Sequence, residues 1–133
     1  MSRDDSWTIS ELADQLDISA RSIRFYEEKG LISPQRTPGG HRVYTRRDRA
    51  RMRLILRGKR FGYSLDEIAE MIGMADVDMD EADQIRKSLE YGEKKLRELA
   101  QRKEEISAME ADLEAVRQKM LERLKQLEGT GKQ

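Results

Sequence analysis

The sequence has no cysteine, one histidine and two prolines in 133 residues. Without thiolates it can form neither a disulfide nor a cysteine-ligated metal site. Because His41 is the only histidine, most histidine-based metal sites and catalytic triads are excluded. The sequence also lacks a nucleophile–base pair and a glycine motif that would cradle phosphates, so we expect no cofactor, no metal and no enzymatic activity.

Long apolar runs and a signal-peptide pattern are also missing, which predicts a cytoplasmic protein that does not contact a membrane. Hydrophobic residues make up only 37% of the chain, against 39% charged residues, which indicates long exposed helices rather than one globular core. The net charge is zero, but residues 1–62 hold 14 Lys and Arg against 8 Asp and Glu. Residues 63–133 hold 12 against 18, so a basic half suited to nucleic acid precedes an acidic half with another role.

The most informative stretch is TISELADQLDISARSIRFYEEKGL, residues 8–31, which predicts two short helices joined by a tight turn. Thr8 and Glu11 have the spacing of a capping box, so the first helix should begin near Ile9. Ser19 is a suitable N-cap for the second helix. The pair has the pattern of a helix-turn-helix.

In a helix-turn-helix, the N-terminal end of the second helix meets base edges in the major groove. The residues at that end, and therefore the candidates for DNA contact, are Ser19, Ala20, Arg21 and Arg24. The alternative is an ordinary helical hairpin with a solvated basic face.

A β-hairpin is predicted after the second helix, since a Pro-Gly-Gly turn precedes the alternating stretch Arg42-Val43-Tyr44. Its pairing strand is either residues 31–32 or residues 35–37. With Val43 facing the core, Arg42 and Tyr44 are expected to face outward, where they can hold phosphates and sugars. A hairpin in this position is a wing.

Two further helices are predicted, because Thr45 with Asp48 and Ser64 with Glu67 have capping-box spacing. From residue 42 to residue 60 there are nine Lys and Arg against one acid. A solvated helix face normally mixes both signs, so this excess indicates a phosphate backbone nearby.

A long helix is predicted over residues 82–127, which contain no proline and carry apolar residues at heptad-like steps, interrupted at Lys103 and Glu110. The proposed dimerisation positions are Leu89, Leu96, Leu99, Ile106, Leu113, Val116 and Met120. So narrow a stripe needs a partner helix, most simply that of a second copy. The alternative is a helix folded back on its own domain.

The expected organisation therefore has four parts. They are residues 1–74 as the DNA-binding domain, 75–81 as an acidic linker, 82–127 as the coiled-coil helix and 128–133 as a disordered tail. Within the first part, residues 1–6 are expected to be a disordered lead. Trp7 either packs as a hydrophobic staple on Leu12 or has no role.

This ordered set of elements resembles the MerR family of bacterial transcription regulators. The resemblance covers about residues 7–127. It is carried by Arg24-Phe25-Tyr26-Glu27, Lys29-Gly30-Leu31, Arg42-Val43-Tyr44 and residues 56–68. It implies a mainly α fold in which a winged helix-turn-helix head precedes a long antiparallel coiled-coil dimerisation helix.

The resemblance also implies a mechanism. A homodimer would bind double-stranded DNA at a near-palindromic promoter site on the bacterial nucleoid, between the −35 and −10 elements. It would repress in one state and, in the other, bend and untwist the DNA for RNA polymerase. The implied DNA-contacting residues are Arg21 and Arg24 on the recognition helix, Tyr26 on the backbone, Arg42 and Tyr44 on the wing, and Arg57 and Lys59 on the second helix pair.

The chain departs from the metal-sensing branch of that family, whose cysteines lie near the ends of the dimerisation helix. Residues 75–85 and 128–133 contain none, so sensing of mercury, copper or zinc by thiolates and iron–sulfur redox sensing are excluded. The chain stops at Gln133, so we expect no large ligand-binding domain. Residues 54–62 and the coil resemble the short regulators of branched-chain amino acid and acyl-CoA catabolism. That resemblance implies a small organic effector such as an acyl-CoA thioester.

Two other functions remain open from the sequence. The first is a constitutive repressor without an effector. The second is a coiled-coil interaction protein or antitoxin-like adaptor, in which the DNA-binding head is secondary and residues 75–133 bind a different protein.

Overall fold

The structure, a computed structural model, describes residues 5–130 and is mainly α-helical, as the sequence predicts. The helices are α1 (Ile9–Leu16), α2 (Ala20–Glu28), α3 (Arg46–Arg60), α4 (Leu65–Ile72) and α5 (Glu81–Thr130). The strands are β1 (Ser6–Trp7), β2 (Gln35–Arg36) and β3 (Arg42–Thr45). A winged helix-turn-helix is thus followed by a second helix pair and one long helix. None of the helices in this part of the chain is apolar over a stretch long enough to cross a membrane.

Side-chain caps define where the short helices begin. The Thr8 hydroxyl accepts from the Glu11 amide at 3.1 Å, and the Glu11 carboxylate accepts from the Thr8 amide at 2.9 Å. The same reciprocal capping box begins α3 at Thr45 and α4 at Ser64. At α2 the Ser19 hydroxyl accepts from the amide of Ser22 at 3.1 Å. All four predicted caps are confirmed, because each depends only on residues three apart in the chain.

The wing is a three-stranded antiparallel sheet with β3 in the centre. On one side Gln35 pairs with Val43, which decides between the two predicted pairings in favour of residues 35–37. On the other side Trp7 pairs with Tyr44, so Ser6 and Trp7 form a strand that the sequence did not predict. The predicted disordered lead is therefore wrong at Ser6, and residues 1–4 lie outside the described residues.

The core of the head is formed by apolar side chains from all of its helices. Leu12 of α1, Ile23 of α2, Met52 and Ile55 of α3, and Ile68 of α4 are almost fully buried. Burial of such side chains contributes about 1.5–3 kcal/mol each, which is what holds these short helices together.

A buried arginine joins three segments of the head. Arg51 donates from Nε to the carbonyl of Leu31 at 2.7 Å, from Nη1 to that of Ile72 at 3.3 Å, and from Nη2 to that of Gly73 at 2.6 Å. Two of these carbonyls end α4, where a cation also complements the helix dipole. Burial, together with the charge of Arg47, lowers the pKa of Arg51 from its ordinary value.

The chain divides into two compact units, residues up to Glu90 and residues from Tyr91 onward. The stretch predicted as a linker, residues 75–81, is non-helical up to Asp80, and its first residue packs on the head, since Ala75 is buried and its amide donates to the carbonyl of Gly30 at 2.9 Å. In the second unit the helix continues to Thr130, so residues 128–130 of the predicted tail are helical. Residues 131–133 lie outside the described residues.

Candidate nucleic-acid interface

The N-terminal end of α2 presents two cations to solvent. Arg21 and Arg24 are exposed, as expected of residues that read base edges. Ser19 is exposed, but its hydroxyl already caps the helix and shares a hydrogen bond with the hydroxyl of Ser22 at 3.0 Å. Ala20 is half-buried. Of the four residues predicted to contact DNA from this end of α2, Arg21 and Arg24 are therefore the two that are exposed and do not cap the helix.

Phe25 is a surface residue of α2 that sequence reasoning did not single out. Its ring is 43% exposed, and the ammonium of Lys29 lies 5.5 Å from the ring centre. Phe25 follows Arg21 by four residues and so lies on the same side of the helix. The four-residue spacing from Arg21 is the sequence feature from which Phe25 could have been predicted to lie on this surface.

The two tyrosines predicted to contact DNA are buried. Tyr26 is 9% exposed and Tyr44 is 0% exposed. The predicted outward orientation of Tyr44 is therefore wrong. The alternation of the strand was assigned with the faces reversed, and such an error places each side chain of a strand on the opposite face of the sheet. Burial raises the pKa of both tyrosines, and at Tyr44 the Glu27 carboxylate raises it further.

The hydroxyl of Tyr44 has no hydrogen-bond partner among the described residues. A side chain without accessible surface offers no group to a phosphate unless the fold opens. We therefore assign Tyr44 to the core of the head rather than to its DNA-facing surface.

Arg42 ties the wing to the recognition helix. Its Nε donates to both oxygens of the Glu27 carboxylate, at 2.8 and 3.2 Å, and the pair is partly buried. Since Nε is engaged, Arg42 can offer a phosphate only its terminal nitrogens. The pair fixes the position of the wing relative to α2, which is a requirement for two elements that contact one duplex.

The outer side of α3 is a ridge of arginines. Its members, on one face at helical spacing, are Arg46, Arg49, Arg53, Arg57 and Arg60. Arg49 lies 4.5 Å above the ring centre of Trp7 and donates to Gln15 at 3.0 Å, which anchors it. Arg57 and Lys59, both predicted to contact DNA, are exposed in the last turn of the helix.

The turn after α3 adds an exposed aromatic residue. Phe61 is 53% exposed, with the guanidinium of Arg60 5.4 Å from its ring centre. The chain then turns at Gly62, where a positive φ of 84° favours glycine. Cations and apolar rings of this kind fit phosphates and sugars. In residues 5–130 no group of three or more His, Cys, Asp or Glu is arranged to hold a metal.

The predicted dimerisation residues all lie on α5 and are exposed. Their exposed fractions range from 44% to 67%. The residues are Leu89, Leu96, Leu99, Ile106, Leu113, Val116 and Met120. A helix with this much exposed apolar surface is typical of one half of a coiled coil.

Comparison with known proteins agrees with this geometry. The sequence profile of the MerR HTH family regulatory proteins matches residues 7–74, and a profile described as MerR, DNA binding, matches residues 49–116. The HTH-type transcriptional regulator CueR of Escherichia coli O6:H1 is 34% identical over 110 residues, which cover 81% of this chain and 78% of that protein.

Two solved structures have the same fold. A MerR-family transcriptional regulator from Bacillus cereus superposes with a TM-score of 0.60 at 30% identity, covering 78% of this chain and 74% of its own. HiNmlR, a MerR family regulator lacking the sensor domain and bound to promoter DNA, gives 0.55 at 27% identity, covering 77% and 76%. The chain belongs to the MerR family of DNA-binding transcriptional regulators.

Proposed function

We propose that this protein binds a near-palindromic promoter site as a homodimer, with α2 of each copy in one major groove. The observation that carries the proposal is the exposure of Arg21 and Arg24 at the start of α2, together with the exposed arginine ridge of α3. Base-reading and phosphate-holding cations are then present on one compact head.

Dimerisation through α5 supplies the second half-site. The exposed apolar stripe is the surface that a second copy would cover, in the antiparallel arrangement that the family resemblance implies. Two-fold symmetry of the protein then matches two-fold symmetry of the operator.

Regulation is proposed to act through the shape of the promoter. A dimer that holds phosphates on both flanks can change the twist between them, and so decide whether RNA polymerase engages the −35 and −10 elements. Because this chain has no cysteine, we propose that the signal is not a metal held by thiolates. The protein would act on the bacterial nucleoid, in the cytoplasm, without a catalytic role.

An acyl-CoA thioester as effector has narrower support, since none of the relatives reported above is named for it. A groove of about 530 Å³ beside α3 is lined by Arg46, Arg47, Arg49 and Arg53 with Leu54 and Ala50. Its cations suit the phosphates of coenzyme A and its apolar residues an acyl chain. Because Arg46, Arg49 and Arg53 also belong to the ridge proposed to hold DNA phosphates, an acyl-CoA bound there would compete with the DNA backbone for these cations. Another groove, of about 280 Å³, has the acids Glu27 and Asp76 in its lining, and these would repel that polyanion.

The test is footprinting of the purified protein on the DNA upstream of its own gene, with and without a panel of acyl-CoA thioesters. We expect central protection, with hypersensitivity that changes with one ligand. Protection that no ligand alters would favour a constitutive repressor. Absence of protection at low salt, where phosphate contacts are strongest, would refute the DNA-binding proposal and favour the interaction protein.

A further inference from the structure

We propose that Lys103 and Glu110 align two copies of this chain along α5, the lysine of each copy pairing with the glutamate of the other. The proposal rests on the homodimer proposed above. It adds the residues that set the register of the two helices and restrict the choice of partner.

Both residues occupy positions in the apolar stripe. Leu96, Lys103, Glu110 and Leu124 lie at seven-residue steps or multiples of them, so a lysine and a glutamate stand where leucines stand before and after. They lie on one face of the helix, two turns or about 10 Å apart. A charged residue in the apolar seam of a coiled coil lowers the stability of the dimer but selects the register of its helices. Two such residues of opposite charge therefore suggest a role in aligning the helices.

Neither charge has a partner within its own chain among residues 5–130. The residues three and four positions from Lys103 are Leu99, Ala100, Ile106 and Ser107, and none is an acid. Those from Glu110 are Ile106, Ser107, Leu113 and Glu114, and none is a cation. One helical turn therefore offers neither residue an opposite charge.

Other charges of α5 are paired at that spacing. Arg86 lies 2.7 Å from Asp83, and Lys95 lies 3.5 Å from Glu98. Arg117, the next residue at the heptad position of Glu110, lies 3.2 Å from Glu114. Further charges of α5, such as Arg102 and Glu104, also have no ion pair among residues 5–130, so it is the place of Lys103 and Glu110 within the apolar stripe that singles out these two for contact with another helix.

The orientation of the second helix decides whether these charges attract or repel. In a parallel pair, Lys103 would face Lys103 of the partner subunit, and Glu110 would face Glu110 of the partner subunit. In an antiparallel pair centred near Ile106, each lysine lies opposite a glutamate, twice by symmetry. A shift by one heptad would remove both pairs, so they specify register as well as direction.

The experiment measures the dimer dissociation constant of the full chain by sedimentation equilibrium. The variants are Lys103→Glu, Glu110→Lys and the double exchange. The matched controls are Arg97→Glu and Glu104→Lys, which make the same charge changes seven residues apart on the face of α5 opposite the apolar stripe. Circular dichroism verifies that every variant keeps its helical content.

We expect each single variant to weaken the dimer by about tenfold or more, since it sets two like charges against each other. The double exchange should restore the dimer to within about threefold of the parent, and an equimolar mixture of the two single variants should form the heterodimer preferentially. The controls should change the constant by less than about threefold.

The proposal is overturned if the single variants behave like the controls, or if the double exchange is no better than either single variant. A parent chain that is itself monomeric would instead refute the proposed homodimer. That outcome would direct the search to a helix from a different protein.

Discussion

Arg21 and Lys59 are both exposed cations, but they should act on DNA in different ways. Arg21 lies at the end of α2 that we propose enters the major groove, so Arg21→Ala should relax base preference and cost about 1–3 kcal/mol at one operator position. The measurement is binding of the parent and the variant to a set of operators with single-base changes. Unchanged preference would mean that another residue reads the base.

Lys59 lies in the last turn of α3, where a phosphate contact is expected. Lys59→Ala should weaken all sequences to a similar extent and lower the slope of log K against log salt by about one unit. Titration of one operator and one random duplex at several salt concentrations measures both effects. A loss confined to the operator would contradict the assignment to phosphate.

The buried hydroxyl of Tyr44 should destabilise the folded head, so that a phenylalanine at this position is the more stabilising residue. The hydroxyl is buried without a partner, so Tyr44→Phe should raise the free energy of unfolding by about 1 kcal/mol. The raised pKa of Tyr44 gives stability that is present below pH 10 and is lost as pH rises through the folded pKa, so the variant should also unfold less readily in alkali.

Urea unfolding at pH 7 and at alkaline pH measures the two effects. Tyr26→Phe is the control at pH 7, because its hydroxyl is not among the buried atoms without a partner. In alkali both variants should unfold less readily, since burial raises the pKa of both tyrosines. A loss of stability in Tyr44→Phe would show that the hydroxyl has a partner in solution.

The arrangement of α2, α3 and α4 depends on Arg51. Its guanidinium satisfies three carbonyls from two separate segments, so Arg51→Ala should lower the free energy of unfolding by about 3 kcal/mol. Arg53, two residues on, is exposed, and Arg53→Ala should change it by less than about 0.5 kcal/mol. Chemical denaturation of both variants provides the comparison, and equal effects would contradict the buried network.

The beginnings of the elements could be predicted from the sequence, but the faces of the wing could not. Thr8, Ser19, Thr45 and Ser64 cap helices through residues three positions on, so local spacing was sufficient. The burial of Tyr44 depends instead on β1, which pairs with β3 across 37 residues of sequence and has only two residues of its own. Arg51 was likewise counted with the phosphate-facing cations, since its carbonyl partners are distant in the chain.

The two compact units of the chain should differ in how they respond to dilution. The first unit has its own core, whereas residues 101–130 of the second are exposed throughout. A helix without tertiary contacts is stabilised by its partner, so its helical signal should fall as protein concentration falls below the dimer dissociation constant. Far-ultraviolet circular dichroism over a dilution series tests this, and a concentration-independent signal would contradict a dimer held by α5.

The carbonyl of Ile72, at the end of α4, accepts hydrogen bonds from two elements. Arg51 donates to it at 3.3 Å and Gln84, in the first turn of α5, at 3.2 Å. Through Arg51 the same network reaches Leu31, just beyond α2. A genetic screen for alleles that occupy the operator normally but respond wrongly should therefore return substitutions at Gln84, because their defect lies in how the first turn of α5 is joined to the head.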